Sequence, residues 1–204
     1  MSDAGYDVPA ATTRVEDVVQ RSRFIVTLGA AADAEAARAF IDGVREEFPD
    51  ATHNCWAYVA GPPGSTAVIG MSDAGEPHGT AGRPMLDVLL HSGVGEVVAV
   101  VTRYYGGTKL GKGGLVRAYG GAVQHALVEL PRARRVRRSE FWIQAGYGDV
   151  DPLRRLIAEY QVEVLAETFG EHVQWHVAVP AHDARRFVAA VAAATAGKAR
   201  LESG

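Results

Sequence analysis

The chain has a single cysteine, Cys55, among 204 residues, so it can form no intramolecular disulfide and no zinc site built from thiolates alone. It also lacks any run of about 18 apolar residues, the length a membrane-crossing helix needs. The opening MSDAGYDVPA has neither a basic n-region nor an apolar core, so it does not read as a signal peptide. Excess charge is missing too. A net charge of −3 excludes a polycation that coats nucleic acid along its whole length. These absences lead to the expectation of a cytoplasmic protein with no membrane contact, no metal and no cofactor.

The charge that is present is unevenly spread. Between Arg103 and Arg138 there are nine basic residues and one acid, Glu129. A concentration of this kind is the footprint that anionic partners leave. Within it lies the most informative stretch, residues 97–121, VVAVVTRYYGGTKLGKGGLVRAYGG. The aliphatic run Val97–Val101 predicts a buried strand. A glycine-rich loop with Gly106, Gly107, Gly111, Gly113 and Gly114 follows. Leu115, Ala118, Ala122, Ala126 and Leu127 then carry helical spacing to about Leu130. Strand, glycine loop and helix in this order place free N–H groups at a positive helix end, which suits an anion.

Two nucleotide motifs come close and fail. Gly106-x4-Gly111-Lys112 opens like a P-loop, but Gly113 stands where a Ser or Thr must supply the magnesium-binding hydroxyl. From Gly111 the dinucleotide pattern runs Gly-x-Gly and then meets Val116 in place of its third glycine. The remaining candidates for anion or nucleic-acid contact are Arg103, Tyr104, Tyr105, Gly106, Gly107, Lys109, Lys112, Gly113 and Arg117. Side chains alternate along a strand, so only one of the two tyrosines is expected to offer a stacking face.

A second cluster lies in the polar loop Ser72–His78. Asp73, Glu76 and His78, together with His53, contain the groups of an acid–base pair or a metal site. No His-x3-His spacing accompanies them, and Asp, Ser, Gly and Pro equally serve a surface turn. Cys55 shares a strand face with His53 but lies in an apolar run, where a thiol is usually inert. Trp142 and Trp175 read as core or edge packing. His91, His125, His172 and His182 are scattered.

The elements expected around these motifs are strands at Thr12–Gln20, Phe24–Leu28, Cys55–Val59 and Ala67–Gly70. A helix is expected over Ala31–Phe48 with Asp33 as N-cap, and another over Met85–His91 capped by Thr80. The block Arg132–Arg138 is the expected domain boundary, either a solvated linker or edge strand or an extension of the binding surface. Beyond it, strands at Glu140–Gly146, Val162–Thr168, His172–Pro180 and Lys198–Leu201 alternate with helices at Asp149–Tyr160 and His182–Ala194. That strand-helix-strand-strand-helix-strand order predicts a ferredoxin-like βαββαβ domain. The expected division is 1–131, a basic segment 132–138, and 139–204.

Arg103-Tyr104-Tyr105-Gly106-Gly107-x-x-Leu110-Gly111-x-Gly113-Gly114-Leu115-Val116-x-Ala118-Tyr119-Gly120 resembles the signature of the YigZ/IMPACT family. Asp73-x-Gly75-Glu76-Pro77-x-Gly79-Thr80-Ala81-Gly82-x-Pro84-Met85 matches that family's second block. Ser22-Arg23-Phe24-Ile25 and His53-x-Cys55-x-Ala57 fit its opening strands. The resemblance implies an α+β fold of two domains. The first is similar to a ribosomal-protein and elongation-factor domain, and the second is ferredoxin-like. It also implies a role in translation, exercised on RNA, the ribosome or a protein partner and without catalysis. The alternative is an enzyme or binder of a small phosphorylated ligand, in which the glycine loop holds phosphate and Asp73, Glu76 and His53 do the chemistry.

Overall fold

The computed structural model describes residues 5–204 and divides them into two compact units, Tyr6–Arg135 and Val136–Gly204. Both are mixed α and β, so the chain is a two-domain α+β protein.

In the first unit, β1 (Tyr6–Pro9) pairs antiparallel with β7 (Arg132–Arg135). The strands β2 (Thr13–Val19), β3 (Ser22–Ala30), β4 (His53–Val59), β5 (Ile69–Ser72) and β6 (Val97–Tyr104) form a second sheet. Its order is β2-β3-β6-β4-β5, with every neighbour antiparallel. β6 is central, which is why its valines are buried on both faces. Val98 and Val100 pack towards α1 (Ala34–Glu47), while Val97, Ala99 and Val101 pack towards α2 (Gly82–Leu90) and α3 (Gly111–Glu129). Each fully buried valine contributes roughly 1.5 to 3 kcal/mol of transfer free energy.

Local chemistry explains the helix starts. The Asp33 carboxylate accepts the Ala36 N–H at 2.8 Å and caps α1 as its sequence predicts. Thr80 does not cap α2. Its hydroxyl donates to the Pro77 carbonyl at 2.6 Å, and the acceptor for the Ala81 and Gly82 amides is Asp73, at 3.0 and 2.9 Å. The helix after β6 begins at Gly111, so Gly111, Gly113 and Gly114 lie in its first turn rather than in a loop.

The block expected as linker or edge strand splits in two. Residues Arg132–Arg135 are the strand β7 of the first unit, and the division falls after Arg135. Nor is the block an open basic face. Arg134 lies 3.2 Å from Asp7, Arg135 clasps Glu96, and Arg138 is 3.6 Å from Glu163.

The second unit contains β8 (Arg138–Ala145), α4 (Val150–Glu159), β9 (Glu163–Phe169), β10 (Val173–Pro180), α5 (Ala184–Ala194) and β11 (Arg200–Ser203). The sheet order β11-β8-β10-β9, antiparallel throughout, is the arrangement predicted from the βαββαβ element order. Leu153 of α4 and Phe187 and Val191 of α5 close one face over Phe141, Ile143 and Trp175.

Candidate functional site

Register on three adjacent strands builds the site. Phe24 of β3 and His53 of β4 stand directly opposite Arg103 of β6, so the three side chains share the sheet face that carries α2 and α3. The loop from β5 to α2 brings Glu76 onto this row. Asp73 shapes that loop: its carboxylate accepts from the Gly79, Ala81 and Gly82 amides, and its carbonyl accepts the Glu76 N–H at 2.9 Å. Burial pushes the Asp73 carboxyl up, but those amides and the nearby His78 outweigh it, and the group titrates below the usual carboxylate range.

Glu76 and Arg103 are both buried, and Arg103 Nη1 donates to Glu76 Oε1 at 2.5 Å. The Tyr119 hydroxyl of α3 donates to the same oxygen at 2.8 Å, and His53 Nε2 lies 3.9 Å away. Arg103 Nη2 donates to Ser22 Oγ at 3.2 Å, while its Nε has no hydrogen-bond partner. The guanidinium lies 5.3 Å from the Phe24 ring centre and 5.6 Å from that of Tyr105, within the range of cation–π attraction. The Cys55 thiol donates to the Asp73 carbonyl at 2.9 Å and lies 3.4 Å from the Tyr119 hydroxyl. Burial pushes this thiol up to about 12, so it is not a nucleophile at neutral pH. Burial and the neighbouring Cys55 likewise raise Tyr119.

Glu76 and Arg103 form the floor of a cleft of about 380 Å³ whose walls include Tyr105, Lys109, Gly111 and Lys112. Tyr105 is 46% exposed, which leaves ring surface open to a planar partner. Lys109 and Lys112 are exposed and form no ion pair among the described residues. The residue before α3, Leu110, supplies no side-chain cap, so the first-turn amides of this 19-residue helix open at the cleft unmatched by a carboxylate.

Several expected contacts have other work. Arg103 lines the cleft but is turned to Glu76, whose carboxylate neutralises it. Tyr104 lies on the opposite sheet face, its hydroxyl donating to Asp50 at 2.8 Å and its ring under Arg23, so Tyr105 is the tyrosine of the pair that lines the cleft. The Gly106 amide donates to Ser22 Oγ at 3.2 Å. Gly107 has φ +83°, a left-handed conformation that favours glycine. Gly113 and Arg117 are exposed but do not line the cleft.

The second cluster also separates. His53 and Glu76 converge, whereas Asp73 and His78 line a different depression with Met71 and Arg83. His53 Nδ1 is bound to the Ala74 carbonyl at 2.9 Å. Two donors, Arg103 Nη1 and the Tyr119 hydroxyl, occupy Glu76 Oε1. Among the described residues, no three His, Cys, Asp or Glu side chains group to hold a metal. Ser22 and Tyr119 went unassigned in the sequence, although Tyr119 has a readable signal. It falls four residues after Leu115 on the apolar helix face, where a phenol needs a polar partner.

Gly106 has a sharper constraint than chain flexibility. A Cβ there would lie 2.0 Å from the Arg21 carbonyl carbon and oxygen and 2.5 Å from the Ser22 nitrogen, all backbone atoms. G106A is expected to destabilise the first unit by about 3 kcal/mol, the upper end of overpacking costs. G113A, with only Arg117 Nη1 within 4 Å at 3.7 Å, is expected to be neutral or stabilising by about 0.5 to 1 kcal/mol. Thermal unfolding of both variants checks this, and equal shifts would refute the close-approach argument.

The Impact N-terminal domain family matches residues 20–127, and the Domain of unknown function (DUF1949) matches residues 143–198. The chain is 43% identical over 194 residues to the IMPACT family member YigZ of Escherichia coli K12, covering 95% of each protein. It is 34% identical to the IMPACT family member YvyE of Bacillus subtilis, covering 93% of this chain and 86% of that one. A solved crystal structure of a hypothetical protein, 42% identical, superposes with a TM-score of 0.71 over 97% of this chain and 96% of that one. The protein with this cleft over a buried Glu76–Arg103 ion pair and this ferredoxin-like second unit belongs to the IMPACT family.

Proposed function

We propose that this chain is a translation-associated factor that binds single-stranded RNA, free or on the ribosome, without catalysing a reaction on it. The cleft at the start of α3 carries this reading. It combines two unpaired lysines, an uncapped helix N-terminus and the exposed Tyr105 ring within the space of one nucleotide. Lys109, Lys112 and the first-turn amides hold a phosphate, and Tyr105 stacks the attached base. Arg103 and Glu76 neutralise one another beneath it, so the floor is rigid and the added positive charge comes from the lysines.

The rival, processing of a small phosphorylated ligand by Asp73, Glu76 and His53, needs these groups on one reacting atom. Their division between two depressions and the occupied Glu76 Oε1 weigh against it.

Fluorescent single-stranded RNA titrated across a salt series tests the reading. Each phosphate no longer neutralised flattens the dependence of log K on log salt by roughly 0.7 for single strands, so K109A/K112A, which loses the one phosphate the two lysines share, is expected to flatten it by about 0.7. An unchanged slope, or no binding at low salt, would remove this cleft as an RNA site.

A further inference from the structure

In the second unit, the face of the four-stranded sheet away from α4 and α5 carries an aromatic pair. Trp142 of β8 and His176 of β10 are register partners, and their rings stack at 4.2 Å with an interplanar angle of 4°. Alternation explains their placement. Phe141, Ile143, Trp175 and Val177 point into the core, so Trp142, Gln144, Gln174 and His176 are left on the open side. Trp142 was expected to pack in the core or at an edge. Trp175 does, at 1% exposure, but Trp142 is 48% exposed. His176 Nε2 lies 2.8 Å from Glu140 Oε2, which fixes the imidazole against one face of the indole and leaves the other uncovered by it.

Beside the indole is a depression of about 150 Å³ lined by Trp142, Gln144, Gln174, Arg200 and Glu202. A second, of about 240 Å³, shares Gln144 and Arg200 with it and adds His172 and Lys198. The first therefore offers a flat π surface, two amides, a carboxylate and the Arg200 guanidinium. The adjoining one offers two fixed cations and an imidazole. We propose that these joined depressions bind one nucleotide of a single-stranded nucleic acid, with the base against Trp142 and the phosphate between Lys198 and Arg200.

The chemistry selects this occupant over others. Stacking on an aromatic platform tolerates any base, and the Gln144 and Gln174 amides both donate and accept at a base edge. Glu202 only accepts, which favours a base carrying an exocyclic amine. Lys198 lines only the second depression and Glu202 only the first, with Arg200 common to both, so the second is the more positive of the two. This site uses none of the residues of the α3 cleft and stands independently of it.

The test uses the full-length K109A/K112A protein, so that the cleft does not report. Titration with a cytidine hexamer is expected to quench tryptophan fluorescence saturably, and a uridine hexamer is expected to bind more weakly. Adding W142L is expected to weaken binding of a fluorescein-labelled cytidine hexamer about tenfold or more. R200A, on an edge strand and away from the core, is expected to flatten the salt slope by roughly 0.7. Loss of hexamer binding in W142L and R200A, with quenching retained in K109A/K112A, supports the site. Absence of quenching, or unchanged affinity in both W142L and R200A, overturns it. Equal affinity for the two hexamers overturns the role given to Glu202. RNA binding lost only in K109A/K112A would leave the α3 cleft and exclude this one.

Discussion

E76A is expected to destabilise the first unit by about 3 to 5 kcal/mol, because it strands a charged guanidinium in the interior. Arg103 is 4% exposed, and its strongest partner is the carboxylate 2.5 Å away. The substitution also leaves the Tyr119 hydroxyl without its acceptor at 2.8 Å. Few surface replacements exceed about 0.5 kcal/mol, so the effect separates a buried pair from a decorative one. The double substitution E76L/R103M is expected to recover most of the loss, since a well-packed apolar pair matches or exceeds a buried ion pair. Hydrogen exchange of the β6 amides reads both variants within the unit concerned. If E76A exchanges like the parent, Glu76 is not a structural ion and its assignment to the cleft floor fails.

D73A is expected to cost about 2 to 4 kcal/mol, since Ala81 and Gly82 would keep buried amides with no acceptor. The same side chain predicts a pH dependence. Its folded titration lies below its unfolded value of roughly 3.9, so the unfolded chain binds more protons across that interval. Its stabilisation is complete above the unfolded value and is lost as pH falls through the folded one. D73N keeps one acceptor oxygen but no titration. It should therefore show a shallower acid limb, by up to about 1.4 kcal/mol per pH unit, in urea unfolding between pH 5 and 2. A parent and variant with parallel limbs would assign the acid loss elsewhere. Glu96, lowered against its own burial by Arg135 and Tyr6, is the next group to test.

What could be read from the sequence follows from range. The buried run of β6, the Asp33 cap of α1 and the βαββαβ order all depend on neighbours a few residues away, and each appears as expected. The Asp73 cap of α2 spans eight and nine residues and crosses a turn, so a local rule selected Thr80 instead. β7 was ambiguous because Arg-Ala-Arg-Arg has no hydrophobic alternation. Its partners are Tyr6–Pro9, more than a hundred positions earlier. The same limit applies to the site. Alternation placed His53 and Cys55 on one face, but only the folded path of the loop between β5 and α2 shows that Arg103 meets Glu76 while Asp73 turns away. Arg103 looks like Lys109 in sequence and burial separates them, whereas Tyr104 and Tyr105 are separated by the face of the sheet they take.

The pairing of β1 with β7 has a topological consequence. Tyr6 and Arg135, the first and last residues of the first unit, are register partners, and both clasp Glu96. Entry and exit of the polypeptide are therefore stapled together at a single carboxylate. A module closed in this way can be spliced into another chain, or rejoined tail to head, without unzipping any strand of its central sheet.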